Sequence, residues 1–359
     1  MPKSNCKSNA AIEFLRKQIK EGVFQVYSKL PSEKELCETL NISRITVRKA
    51  LGILKDEGLI ESHQGSGYFV SDGHIRNLIP VIMSSATDAF RLNEIYQGIQ
   101  DYFSNTVFSP MMLLSKCDSK RETEIVSEYY SNGFSNMIIL PFLSDENVNF
   151  YHSMLSEKAN IVFVDAKPAN IDCNYVTSCN FTGGYLATKH LIDIGHRKIA
   201  FCANDDMEMA NTVIERFNGY KFALSESGIE INQNLVFKKS IPSIKSYARE
   251  CIAKSAGATA MFCTSDAVAL AISNLISEQD KNMAIIGFDN LSFSETSTPS
   301  ITTVDQNFYE MGRSAAEVLY QRMLNPSMSY ENRYIPVRLI PRNTTLNNYL
   351  RNDESYQSI

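Results

Sequence analysis

The sequence predicts an α/β protein in which a small winged helix-turn-helix precedes a larger two-lobed domain with parallel sheets. Two short helical patterns and a glycine-containing hairpin signal lie before residue 71. After residue 78, short β-rich apolar runs alternate with helical stretches, which is typical of a mostly parallel sheet. The alternation continues over about 260 residues, more than one core comfortably holds, and it therefore favours two lobes. We expect the parts to be 1–71 for the winged helix-turn-helix, 72–77 for a linker, 78–346 for the two-lobed domain and 347–359 for a polar tail.

Composition limits the classes of protein to which the chain can belong. Of its 359 residues, 44% are hydrophobic and 21% are charged, which is an ordinary globular mixture. No apolar run approaches the ~20 residues that span a bilayer, and the polar start of the chain has no apolar signal core. We therefore expect a cytoplasmic protein without a membrane partner. The eight cysteines contain no Cys-x-x-Cys pair, which argues against a metal centre or a disulfide framework.

Charge is distributed unevenly along the chain, whose net charge is -5. The first 72 residues contain 11 Lys and Arg against 9 Asp and Glu, whereas the remainder contains 24 against 31. A mildly basic first part on an acidic body fits a nucleic-acid-binding module attached to a body that does not touch nucleic acid.

The first part of the chain has the signals of a helix-turn-helix. Ser32 and Glu35 have the spacing of a capping box, which begins a short helix. A three-residue turn at 41–43 separates it from a second helix that starts at Arg44 and is closed by Gly58. Two short helices joined in this way are the helix-turn-helix pattern.

The second helix has one apolar and one polar face when it is projected at 100° per residue. Ile45, Arg48 and Lys49 point away from the apolar side. An outward Arg can bond guanine through a bidentate fork, and an exposed Ile can touch a thymine methyl. The alternative is an ordinary solvated helix face. We expect the core stripe to consist of Val47, Ala50, Leu51 and Leu54.

A β-hairpin is predicted directly after the second helix. Residues 59–62 and 67–70 read as two short strands, and the tip between them contains Gly65. A glycine there lets the backbone approach a sugar-phosphate wall without a side chain in the way. The hairpin therefore has the position and the composition of a DNA-binding wing.

Four motifs in this order resemble the GntR family of bacterial regulators. They are Leu30 to Glu33, Ser43 to Leu51, Glu57 to Ile60 and Gly65 to Val70. The resemblance covers nearly all of the first part and implies that it binds double-stranded operator DNA. Two positions depart from the family pattern, because Lys34 stands where Arg is common and Ile45 where a small polar residue is common. The residues implied in DNA contact, with Ile45 added from the helix projection, are Lys34, Ser43, Arg44, Ile45, Thr46, Arg48, Gln64 and Gly65.

Polar residues in the body follow several predicted strands. Ligands of parallel sheets bind beyond the carboxyl ends of the strands, where Asp165, Ser265, Asp266 and Asp289 stand. Arg216 lies early in a helical stretch after another strand. Carboxylates, a guanidinium and an aromatic ring are what a sugar pocket requires. The alternative is that strand-end Asp residues cap the following helices. We favour the cap for Asp266 and the ligand role for Asp289, which no obvious helix follows.

Motifs typical of enzymes are missing from the body. The sequence has no Gly-x-x-x-x-Gly-Lys loop, no Gly-x-Gly-x-x-Gly and no Gly-x-Ser-x-Gly. Its five His residues form no metal-like pair, and we interpret His196 as a turn residue. We therefore expect no enzyme, no catalytic residues, no metal and no cofactor.

The body resembles the LacI/GalR family over residues 78–346. The motifs are Asn180 to Ala200, Arg216 to Tyr220, Ile286 to Asn290 and Ile301 to Gln306. The resemblance implies a periplasmic-binding-protein-like (type I) fold with an effector in the cleft between its lobes. One position departs from the family, because Ser265 stands where Asn usually precedes Asp. The residues implied to line the cleft are Phe90, Asp165, Arg216, Ser265, Asp289 and Gln306.

The combination of the two parts is similar to the arabinose repressors of Firmicutes. It implies a repressor of carbohydrate-utilisation genes that binds a palindromic operator as a homodimer and is released by a small sugar, with L-arabinose as the leading choice. A two-fold symmetric protein reads two half-sites, which is why we expect a dimer. Two alternatives remain open: a regulator that responds to a purine or a sugar phosphate, and a sugar-processing enzyme with a regulatory head.

Overall fold

The computed structural model describes two compact units, Met1–Leu78 and Ile79–Ile359. Among the described helices, none combines the length and the apolar character that crossing a bilayer requires. The described residues are 3–25, 28–56, 58–63, 67–71, 77–84, 89–204, 211–239, 241, 243–278 and 283–346.

The first unit contains three helices and one hairpin. The capping box at Ser32 and Glu35 is present, and Asn41 turns the chain after the second helix with a φ of 50°. Strands β1 and β2 pair antiparallel, so the predicted hairpin is confirmed. The elements are α1 (Lys3–Lys20), α2 (Glu33–Leu40), α3 (Arg44–Asp56), β1 (Ile60–His63) and β2 (Gly67–Val70).

The core of the first unit forms where the helical projection places it. The expected stripe on α3 is buried throughout and packs with Leu15 of α1, Leu36 of α2 and Val70 of β2. Burying each large aliphatic side chain contributes roughly 1.5–3 kcal/mol, so this small core holds all five elements together. The opposite face of α3 is exposed to solvent.

The second unit consists of two lobes with parallel sheets, as the sequence predicts. The sheet of the first lobe has the strand order β13-β7-β6-β5-β3-β4, and that of the second lobe has the order β11-β10-β8-β9. Two further strands, β12 and β14, pair antiparallel. The strands are β3 (Leu78–Met83), β4 (Ser109–Leu114), β5 (Asn136–Leu140), β6 (Asn160–Val164), β7 (Asn174–Ser178), β8 (Ile199–Ala203), β9 (Val236–Lys238), β10 (Ala260–Cys263), β11 (Ala284–Ile286), β12 (Thr303–Asp305), β13 (Asn332–Ile335) and β14 (Arg338–Ile340).

Helices cover the faces of both sheets, which is how a parallel sheet buries its two apolar faces. Buried clusters lie on each side of the six-stranded sheet and on each side of the four-stranded sheet. The helices are α4 (Ala89–Phe103), α5 (Ser119–Ser131), α6 (Asp145–Ser156), α7 (Asn180–Asp193), α8 (Asn211–Glu226), α9 (Ile244–Lys254), α10 (Asp266–Glu278), α11 (Ser292–Thr296) and α12 (Phe308–Leu324), with a short 3₁₀ turn at Gln233–Leu235.

Helices α4 and α12 cross at two glycines in the first lobe. A Cβ at Gly98 would overlap the carbonyl oxygen of Tyr309, and one at Gly312 would overlap that of Ile95. The backbones therefore touch at a distance that no other residue allows. This crossing returns the chain from the second lobe to the first.

Replacing Gly98 by Ala is expected to lower the free energy of unfolding of the second unit by about 1–3 kcal/mol, because the added methyl must push two backbones apart. Gly52 of α3 is a matched control, since its Cβ would meet nothing within 4 Å. Gly52→Ala should stabilise its helix by up to ~1 kcal/mol. Urea unfolding of both variants tests this, and an unchanged midpoint for Gly98→Ala would contradict the crossing.

Candidate functional site

The outward face of α3 carries most of the residues assigned to DNA contact. Arg44, Ile45 and Arg48 are exposed, and Ile45 keeps 82% of its accessible surface. The Ser43 hydroxyl accepts a hydrogen bond from the Thr46 amide at 3.3 Å and lies 2.9 Å from the Thr46 hydroxyl. Ser43 thus caps α3, at a helix end whose free amides attract phosphate.

The remaining assigned residues lie on α2 and on the hairpin tip. Lys34 is exposed on α2. Gln64 and Gly65 lie outside the described residues. The structure therefore brings six of the eight assigned residues onto one surface formed by the start of α2 and the start of α3.

Glu33 binds both arginines of this surface, which the sequence analysis missed. Its carboxylate accepts from Nε of Arg44 at 2.7 Å and from Nε of Arg48 at 2.9 Å. Hydrogen bonds from Arg48 and then Arg44 lower the pKa of the Glu33 carboxyl. Glu33 is 17% exposed whereas the arginines are 60% or more exposed, so a largely buried carboxylate anchors two solvent-facing guanidiniums.

Replacing Glu33 by Gln should raise the affinity for DNA of any sequence a few-fold and lower the preference for the operator. Loss of the carboxylate frees two guanidiniums to contact DNA phosphates. Contacts to phosphates do not depend on the base sequence. Glu38→Gln on α2 is the control, because Glu38 is exposed and its substitution removes the same charge. Fluorescence anisotropy with operator and random duplexes measures both affinities, and equal changes in the two variants would rule out the anchor role.

Arg216 of α8 is the most firmly held residue of the candidate effector site. Its Nε donates to the Asn180 side chain at 2.8 Å, and its Nη1 donates to the Thr264 carbonyl at 2.7 Å. Its guanidinium carbon lies 3.8 Å from the centre of the Phe288 ring. The residue is buried, and these contacts fix the guanidinium plane at the carboxyl ends of the strands in the second lobe.

A close crossing of α7 and α8 positions Arg216. A Cβ at Gly184 would overlap the carbonyl oxygen of Arg216, and one at Gly219 would overlap that of Phe181. Gly184 therefore serves helix packing, whereas a Cβ at Gly183 would overlap the Phe288 ring.

Asp289 faces Arg216 without a direct hydrogen bond. Its Oδ1 lies 3.9 Å from Nη1 of Arg216 and accepts from the Gln306 amide at 2.6 Å. Gln306 in turn accepts from the Ser178 hydroxyl at 2.8 Å. Gln306 therefore holds Asp289 in place. Burial raises the pKa of the Asp289 carboxyl, and Arg216 opposes that shift.

Asp165 in the first lobe has a partner that the sequence analysis did not single out. Its Oδ2 accepts from Nη1 of Arg91 at 3.1 Å. Arg91 follows Phe90 in the first turn of α4. Its position shortly after β3, the first strand of the second unit, was the signal in the sequence that could have identified it. Phe90 itself is 38% exposed and lines a cavity of about 240 Å³ together with Asp289.

Three buried oxygen atoms near these residues have no hydrogen-bond partner within the described ranges. They are Oδ1 of Asp165, Oδ1 of Asn211 and Oγ1 of Thr264. The amide of Asn211 donates to the Tyr175 hydroxyl at 3.2 Å, and that hydroxyl donates to the Asp165 carbonyl at 2.7 Å. Buried acceptors that lack donors are costly unless a water or a ligand supplies them. Hydroxyl groups of a ligand are donors of the required kind.

The charged groups of the site balance one another. Arg91 is paired with Asp165, and Arg216 lies beside Asp289. A site for a phosphate would need an excess of positive charge, whereas paired carboxylates and guanidiniums suit neighbouring hydroxyls. The arrangement therefore fits a neutral, hydroxyl-rich ligand.

Two neighbouring residues at the start of α10 have different roles. The Ser265 hydroxyl accepts from the Val268 amide at 3.4 Å and so caps the helix. The predicted cap role of Asp266 is wrong, because its buried carboxylate accepts from the Leu291 amide at 2.8 Å and the Thr303 hydroxyl at 2.6 Å. Burial raises the pKa of Asp266 to about 6. Asp266 thus ties two segments that follow Asp289, at Leu291 and at Thr303, to the start of α10.

Two family models match the chain. Residues 7–70 match the model for bacterial regulatory proteins of the gntR family, and residues 188–345 match the model for a periplasmic binding protein-like domain. The first match covers the helix-turn-helix and the hairpin. The second covers the second lobe and the return of the chain through α12.

Similar proteins align with most of the chain. The arabinose metabolism transcriptional repressor of Halalkalibacterium halodurans is 25% identical over 87% of this chain and 88% of its own length. That of Geobacillus stearothermophilus is 28% identical over 84% of this chain and 86% of its own length. The solved complex of the transcriptional regulator CelR with cellobiose has the same fold, with a TM-score of 0.67 at 22% identity over 84% of this chain and 91% of that one. The chain consists of a GntR-type helix-turn-helix domain followed by a periplasmic-binding-protein-like domain.

Proposed function

We propose that this chain is a transcriptional repressor that binds a palindromic operator as a homodimer in the cytoplasm and leaves it when a neutral sugar occupies the second unit. One observation carries this function: the same chain has two different sites. The first unit presents an exposed helix face with two arginines, and the second unit has a site whose charges balance and whose buried acceptors lack partners among the described residues. Neither part needs catalysis to act.

The DNA-binding half of the proposal rests on the surface of α2 and α3. Arg44 and Arg48 are exposed, paired only with Glu33 among the ion pairs of the described residues, and placed beside the capped start of α3. Such a surface contacts phosphates with its helix end and base edges with its arginines. Dimerisation follows from the two-fold symmetry of palindromic sites.

The effector half rests on Asp289, Arg216 and Asp165. Their carboxylates and guanidiniums form charge-assisted hydrogen bonds to adjacent hydroxyls, and Phe90 offers an aromatic face for the ring. L-arabinose is the effector we favour, because both arabinose repressors align with more than four fifths of this chain. To release DNA, the sugar must bind the conformation with low operator affinity more tightly than the other.

A thermal-shift screen of the full chain tests the choice of ligand, because a ligand that binds only the folded state raises its stability. The screen contains pentoses, hexoses, their phosphates and nucleosides. A rise in Tm with L-arabinose or another neutral sugar supports the proposal. A rise with nucleosides alone would favour a purine-type effector, and turnover of any sugar in the same samples would favour an enzyme.

A further inference from the structure

A second cavity lies in the first lobe, away from the candidate effector residues. Its volume is about 730 Å³, within the range of small-molecule sites. Asn136 and Asn160, which line it, are the first residues of the neighbouring parallel strands β5 and β6. Asp165 follows the other end of β6. The cavity and Asp165 therefore lie at opposite ends of the strands of one sheet.

The lining of this cavity is positively charged. It contains Lys158 and Arg322 and, within the described part of the chain, no Asp or Glu. The acidic residues next to it in sequence are engaged elsewhere, because Glu157 accepts from Ser153 and Glu331 accepts from Arg333. In a chain of net charge -5, two cations without a carboxylate form a local field that attracts anions.

Arg322 is held with part of its guanidinium unused. Its carbon lies 4.8 Å from the centre of the Tyr330 ring, and its Nη1 donates to the carbonyl of Met328. Its Nε is buried and has no hydrogen-bond partner among the described residues. A guanidinium binds phosphate oxygens in a bidentate manner, and the edge that includes Nε is one of the edges that can do so.

Asn160 adds an unpaired acceptor to the same cavity. Its Nδ2 donates to the Asn136 side chain at 2.8 Å, but its buried Oδ1 has no partner within the described ranges. A donor is needed there, and a ligand hydroxyl supplies one. The lining of the cavity can therefore bind an anion near its two cations and a hydroxyl group near its asparagines.

We propose that this cavity is a second ligand site, for a small phosphate monoester that carries hydroxyl groups. The phosphate lies between Lys158 and Arg322, whose two positive charges match its two negative charges, and a hydroxyl donates to Asn160. Because the site lies at the opposite end of β6 from Asp165, the ester does not compete with the neutral effector. The inference does not depend on the identity of that effector.

Isothermal titration of the full chain with ribose 5-phosphate, glucose 6-phosphate, inorganic phosphate and the two unphosphorylated sugars tests the site. We expect a phosphate ester to bind one site per chain. Lys158→Met and Arg322→Met should each weaken it by about ten-fold or more, as loss of a charge-assisted hydrogen bond predicts. Lys120→Met, an exposed lysine of the same lobe, is the control and should leave binding unchanged.

A folding argument and one further variant keep the test decisive. Lys158 is exposed, so its variant should fold even if the Arg322 variant does not. Asp289→Asn, at the candidate effector site, should leave ester binding unchanged. Ester binding that is lost in Asp289→Asn, or that persists unchanged in both cavity variants, would overturn the proposal. Failure of every phosphate ester to bind at millimolar concentration would overturn it as well, and that failure would not bear on sugar-induced release from DNA.

Discussion

Replacing Asp289 by Ala is expected to weaken effector binding by about ten- to a hundred-fold, because a charge-assisted hydrogen bond contributes roughly 1.5–3 kcal/mol. The carboxylate lies 3.9 Å from Arg216 without a direct hydrogen bond, so both groups are available to one ligand hydroxyl. Operator affinity in the absence of sugar should be unchanged, since Asp289 belongs to the second unit. The expected phenotype is a repressor that stays on DNA when the sugar is present.

A conservative variant separates this role from a structural one. Asp289→Asn keeps an acceptor for the Gln306 amide and should fold normally, yet it loses the charge. Because ligand hydroxyls favour the charged carboxylate, effector binding should lower the pKa of Asp289, and wild-type affinity should fall as pH falls. That slope should be absent in Asp289→Asn and present in the control Asp193→Asn, an exposed residue of α7. Calorimetry over a pH series measures it, and identical slopes in all three proteins would remove Asp289 from the site.

Replacing Arg48 by Ala should weaken operator binding by about 1–3 kcal/mol and relax the preference at one base position. Its side chain is 60% exposed on the outward face of α3, so the loss concerns DNA and not the core. The variant also frees half of the Glu33 carboxylate, which then repels phosphates more strongly.

Lys34→Ala is the comparison for Arg48→Ala. A residue that meets only phosphates should weaken binding to all sequences about equally and lower the salt dependence of binding. Operator and single-base variants, titrated at two salt concentrations, distinguish the two behaviours. If Arg48→Ala left the operator affinity and the base preference unchanged, an element other than α3 would have to lie in the DNA major groove.

Much of the fold could be predicted because buried parallel strands are apolar throughout. The apolar runs 78–83, 137–140, 161–164 and 198–203 predict strands, and β3, β5, β6 and β8 coincide with them to within one residue at each end. Strand β7 was not predicted, because Asn-Tyr-Val-Thr-Ser lacks an apolar run, although all five of its residues are buried. The short strands β12, β13 and β14 mix charged and apolar residues, and their pairing depends on segments far along the chain.

The candidate site could be predicted only in part. The ends of predicted strands pointed to Asp165 and Asp289, since that rule needs only the local pattern. The partner of Asp165 is Arg91, 74 residues away, and no local signal joins them. Glu33 shows the same limit, because its capping motif explains a helix start but not the two arginines it binds. The prediction that Asp266 caps the following helix was wrong, because a position at the end of a strand does not reveal which groups a buried carboxylate binds.

The central claim is that one chain couples sugar binding in the second unit to DNA binding in the first. Titration of the full chain with a labelled operator, with and without saturating L-arabinose, tests it most directly. We expect an operator affinity at least ~5-fold lower with the sugar, and a sugar affinity lowered by the same factor when operator is bound, because coupling is reciprocal. Sugar that binds the chain but leaves operator affinity unchanged would contradict this coupling.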